Sequence, residues 1–123
     1  MRGEAVPNSP QVGQVICDTG GMFALVVRFE LKDAAAAEAF DDLVAETSNG
    51  IAEREPGTLV YATHVVEDAP LARVFYEVYR DREAFEEHER QLHTRHFLDQ
   101  RSSYVRDFRV EFLTPATAKG LPS

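Results

Sequence analysis

The chain has 123 residues, the length of one domain with a core of its own. Hydrophobic residues at 44% and charged residues at 28% match globular usage and exclude a disordered or fibrous chain. Lys and Arg number 13 against 21 Asp and Glu, and the resulting charge of -8 argues against a surface for nucleic-acid phosphates or anionic lipid.

Residues 1–21 are rich in Pro, Gly, Asn and Gln and lack periodicity, so they read as a flexible extension. No apolar stretch of signal-peptide length follows Arg2, and a cytoplasmic location is expected. Cys17 is the one cysteine, which excludes an internal disulfide and a cysteine-based zinc site. Patterning begins abruptly at Met22, and one hypothesis is that the native start lies there.

Residues 22–31 (MFALVVRFEL) alternate as a strand, with Phe23, Leu25, Val27, Phe29 and Leu31 on one face. Asp33 suits a helix cap, and Ala36, Phe40, Leu43, Thr47 and Ile51 recur at helical spacing over 34–54, with Gly50 a weak point. Pro56-Gly57 ends that helix. Residues 58–66 and 73–80 read as strands joined by a hairpin, with turn residues over 67–70. Asp81 caps a second helix bearing Phe85, His88 and Leu92, and Thr94 reads as the cap of a further helical piece. Residues 106–113 alternate as a last strand, and 115–123 form a loose tail. The order βαββαβ is the ferredoxin-like split βαβ of an α+β domain spanning 22–114, with both helices on one face of an antiparallel sheet. Apolar residues on both sides of the strands (Val74, Tyr76 and Val78; Phe75 and Tyr79) call for a second cover, and a homodimer through the sheet face is expected.

No phosphate loop, dinucleotide fingerprint or nucleophile elbow is present. His88 shares the inward helix face, and Glu77 sits on the preceding strand. A buried carboxylate is costly unless paired, and a His88–Glu77 pair would relieve that cost and orient a base. The plainer reading is a structural polar pair. His64 and Arg28 are polar groups within apolar strands, where a pocket would place donors; an ion pair of Arg28 with Glu77 or Glu30, and an exposed or dimer-contact His64, are the bland alternatives. Phe40, Phe85, Phe97 and the tyrosines Tyr61, Tyr76 and Tyr79 would set the size of a pocket, and a tyrosine could donate to a phenolic ligand. His93, His96 and Glu89 could hold a metal on one helix, but a cap at Thr94 would break that helix between the histidines, and no metal is expected.

The runs 23–31, 55–61 (EPGTLVY) and 75–81 (FYEVYRD), followed by Ala84-Phe85 and His88, resemble the antibiotic biosynthesis monooxygenase domain, and within it the small quinol monooxygenases. The likeness covers about residues 22 to 113. It implies a dimeric α+β barrel that oxygenates quinols, phenols or anthrones with dioxygen and without flavin, haem or metal. It would make His88 the base, Glu77 its orienter, and Arg28 or His64 the donor to developing negative charge. Haem-degrading relatives use a tryptophan that this chain lacks. Other relatives are isomerases, so an acid–base enzyme in the same pocket, or a dimeric binding protein without catalysis, are the competing readings.

Overall fold

Two aspartates start the helices. In the computed structural model, which describes residues 21–121, Asp33 Oδ1 accepts the Ala36 amide and Asp81 Oδ1 accepts the Ala84 amide, each at 2.8 Å. Each satisfies an amide that the first helical turn leaves without a partner. The elements are β1 (Phe23–Leu31), α1 (Ala34–Arg54), β2 (Thr58–Val66), β3 (Ala69–Tyr79), α2 (Arg82–Arg90), α3 (Leu92–Gln100), a short 3-10 turn (Arg101–Ser103) and β4 (Val105–Leu113). Most of the expected extension lies outside the described residues. None of the described helices is long and apolar enough to cross a membrane.

The strands form one antiparallel sheet in the order β2-β3-β1-β4, the expected ferredoxin-like α+β arrangement. Register sorts the side chains. Leu25 opposes Glu77 and Phe112, Val27 opposes Phe75 and Val110, and Phe29 opposes Arg73 and Phe108; all of these face the helices. Val26, Arg28, Val74, Tyr76, Ala62 and His64 stand on the other face.

Two boundaries differ from expectation. β3 begins at Ala69, because Asp68 adopts φ 65 and reverses the chain in a tighter hairpin; a short polar side chain tolerates that left-handed backbone. Thr94 does not cap α3. The chain is extended at Gln91 (φ -67, ψ 146), so α3 starts earlier and Thr94 is buried within its first turn.

The core is a nest of phenylalanines. Phe29 is 2% exposed, and its ring centroid lies 4.9 Å from Phe75, 5.2 Å from Phe40 and 6.2 Å from both Phe97 and Phe108. Phe29→Ala should therefore cost about 3–5 kcal/mol in urea unfolding. A loss under about 1 kcal/mol would show that this nest does not hold the helices to the sheet.

Candidate functional site

Glu55 is the C-terminal cap of α1, where the helix macrodipole disfavours a carboxylate. It is nevertheless buried and receives three donors. His88 Nδ1 lies 2.8 Å from Oε1, Thr58 Oγ1 donates to the same oxygen at 2.6 Å, and His93 Nε2 makes a short hydrogen bond to Oε2. Burial alone would raise the pKa of Glu55, but the hydrogen bonds from His88, Thr58 and His93 outweigh it and lower it to about 2.

An ionised carboxylate only accepts, so His88 Nδ1 carries a proton, and in the neutral imidazole the lone pair is on Nε2. Among the described residues Nε2 has no hydrogen-bond partner; Thr94 Oγ1, at 3.4 Å, approaches Nδ1. The imidazole is thus held in the tautomer of a base.

Two glycines let these pieces close up. A Cβ on Gly57, in the turn after Glu55, would lie 2.7 Å from the Ala84 Cβ, so this turn presses directly on the start of α2. A Cβ on Gly50 would lie 2.6 Å from His93 Cγ and 2.9 Å from its Cβ. Gly50 is therefore the seat of the His93 ring on α1. In an open helix, Gly→Ala gains about 1 kcal/mol. Here Gly50→Ala should lose about 1–3 kcal/mol instead, because His93 must move off Glu55. Chemical denaturation reads the sign, and a gain would contradict this packing.

Between the helix-side face of the sheet and α2 and α3 lies a cavity of about 130 Å³. Leu25, Val27 and Phe75 form its floor, and Phe85, Phe97 and Tyr61 its walls. Its polar groups include Glu77, His88, Glu89 and Arg101. Glu77 is 6% exposed, and the Tyr79 hydroxyl donates to its Oε1 at 2.5 Å. Burial raises the pKa of Glu77, only partly offset by the Tyr79 hydrogen bond and the nearby His88. Burial, reinforced by the Glu77 charge, pushes the phenols of Tyr61 and Tyr79 well up, so they serve as donors and not as bases.

The sequence-derived candidates divide into three groups. His88, Glu77, Tyr61, Phe85 and Phe97 line the cavity. Tyr79 stands behind it on Glu77, and Phe40, 0% exposed, belongs to the core. Arg28, His64 and Tyr76 lie on the opposite face of the sheet. There Arg28 pairs with Glu30 at 2.6 Å, and His64 Nδ1 meets the Val74 carbonyl at 3.0 Å, so neither reaches the cavity. The expected His88–Glu77 hydrogen bond is replaced by His88–Glu55. Glu77 is bound by Tyr79 two residues along its strand, whereas the end of α1 comes up against α2. His93 is engaged by Glu55 and His96 lies 3.9 Å from Glu46; no metal-holding group of three or more His, Cys, Asp or Glu occurs among the described residues.

Glu55 and Arg101 were not singled out as site residues from the sequence, and His93 was weighed there only as a metal ligand. A glutamate opposing the dipole at the end of a 21-residue helix, directly before Pro-Gly, is the signal that could have found the first.

The family model for the antibiotic biosynthesis monooxygenases matches residues 22–100. Among solved structures, a protein from Shewanella oneidensis is 28% identical with a TM-score of 0.69, over 76% of this chain and 89% of that one. A candidate monooxygenase from Lactobacillus acidophilus is 26% identical with a TM-score of 0.72, over 76% of this chain and 44% of that longer one. A candidate antibiotic biosynthesis monooxygenase from Bacteroides thetaiotaomicron, 20% identical with a TM-score of 0.75 over 84% of this chain and 96% of that one, shares the fold. No curated protein matches the chain.

Proposed function

The chain belongs to the antibiotic biosynthesis monooxygenase family, and on that premise we propose that it oxidises a small electron-rich aromatic with dioxygen, using no cofactor. The observation that carries this reading is the His88 imidazole, held at Nδ1 by Glu55 and lining an apolar cavity. His88 would take the proton of a bound phenol. The resulting phenolate is electron-rich enough to give an electron to dioxygen, and recombination forms a ring hydroperoxide. Loss of water then leaves the quinone, so one oxygen atom enters the ring and the other departs as water. The apolar walls would limit water around the intermediates, and Tyr61, which lines the cavity, would donate to developing negative charge.

Labelled dioxygen tests this chemistry. One labelled atom should appear in the hydroxyquinone made from a hydroquinone, in protein treated with chelator. Label from water alone, or no product, would refute it.

Glu77 supports a second reading. A buried carboxyl with a raised pKa lines the same cavity as a histidine base, and such a pair suits proton transfer in an isomerase. Turnover that persists without oxygen would favour it.

We also propose that two copies pack through the sheet face opposite the helices, where Val26, Val74 and Tyr76 are only half-buried by their own chain. Sedimentation should give twice 13.8 kDa, and Val74→Glu should shift it to the monomer. A wild-type monomer at micromolar concentration would overturn this.

A further inference from the structure

The cavity has two chemically different ends, and His88 and Glu77 occupy only one of them. Arg101, just after α3, lines it at the β4 side. Its guanidinium carbon sits 4.6 Å from the centroid of the Phe108 ring. Among the described arginines, only Arg73 and Arg101 are not exposed. Arg73 is gripped by both oxygens of Asp41, at 2.8 and 3.0 Å. Arg101 has no carboxylate within ion-pair distance among the described residues, although acidic groups outnumber basic ones in the chain. A half-buried guanidinium gives up hydration, and a ligand anion would restore it. Lying over an aromatic ring, a guanidinium keeps its N–H edge free for a carboxylate.

Register places this cation far from the base. Phe108 opposes Phe29, whereas Glu77 opposes Leu25, four residues away along β1. At about 3.4 Å per residue that is roughly 14 Å, and β3 and β4 flank β1 on opposite sides. Arg101 and the His88–Glu77 end thus occupy diagonal corners of the cavity that all three residues line. Between them the space of about 130 Å³ matches one aromatic ring; an apolar cavity of about 150 Å³ takes benzene. Glu89, exposed on the rim, and Glu77, at the far end, are the acidic groups that line it.

We propose that the ligand is a single-ring phenolic acid, bound with its hydroxyl toward His88 and its carboxylate on Arg101. This deepens the reading above and rests on it for the hydroxyl end. A space of this size suits one ring better than a fused polycycle such as an anthrone.

Calorimetric titration without oxygen tests it, using gentisate, gentisamide and hydroquinone as ligands. Wild-type protein should bind gentisate about ten-fold more tightly than its uncharged amide. Arg101→Gln should erase that preference and leave amide binding unchanged, while Arg101→Lys should keep part of it. Equal wild-type affinity for acid and amide, or no binding of either, would overturn the proposal. So would an Arg101→Gln variant that weakens both ligands alike, which would make the arginine a structural prop for Phe108. Turnover is not needed for this readout. An acid preference without oxygen uptake would sink the oxygenase reading alone, and hydroquinone oxidation without an acid preference would sink this one alone.

Discussion

Glu55→Gln should cut hydroquinone-dependent oxygen uptake by about two orders of magnitude while the chain remains folded at neutral pH. The amide presents an N–H as readily as an oxygen to His88 Nδ1, so the imidazole loses the partner that fixes its tautomer, and Nε2 no longer carries the lone pair reliably. Oriented base catalysis is worth about 10²–10⁴-fold, and loss of the orienting carboxylate forfeits the lower part of that range. The same substitution has a pH signature. The folded pKa of Glu55 is about 2, below the ordinary 4.5 of a glutamate. A depressed carboxylate stabilises the fold above its unfolded pKa, and the stabilisation fades as pH falls from 4.5 toward 2. Urea midpoints should therefore fall over this interval in the wild type and fall less in Glu55→Gln. Parallel curves for the two proteins would show that Glu55 is not held as a buried anion.

The second large effect is expected at His88 itself. His88→Ala should reduce oxygen uptake by about 10²–10⁴-fold, because no other group lining the cavity is set up to take a phenolic proton near neutrality. Tyr61 is held protonated by its burial, and Glu77 is committed to the Tyr79 hydroxyl. A variant with the shape of a neutral imidazole but no base, His88→Asn, should be equally inactive yet closer to wild type in stability. If His88→Asn retained more than about a tenth of the activity, the proton would have to leave by another route.

The strands and helices were legible because each writes its own local pattern. Alternation marked β1 and β4, Asp33 and Asp81 announced the helix starts, and the apolar stripe of α1 identified its buried face. The hairpin was legible but not its width, since Ala69-Pro70 read as turn although the chain already reverses at Asp68, and the start of α3 was hidden because Gln91 carries a weak turn signal. At the site, His88 was readable from its helix face. Its partner was not, because two carboxylates were available and the choice between them depends on α1 ending against α2, 33 residues away in the chain. Gly50 looked like a flaw in α1 until the His93 ring was found lying on it. Arg28 and His64 could be assigned to a strand face, but an apolar strand does not disclose whether that face meets the cavity or lies on the far side of the sheet. Arg101 had no sequence signal at all: only its place beside the cavity, without a carboxylate partner among the described residues, sets it apart.

The most direct test of the base in the cavity is oxygen uptake by chelator-treated protein given a hydroquinone, wild type beside His88→Ala. Uptake that is stoichiometric with quinone formed, and that falls at least about a hundred-fold in the variant, is the expected result. Equal uptake by the two proteins would contradict the central role of His88.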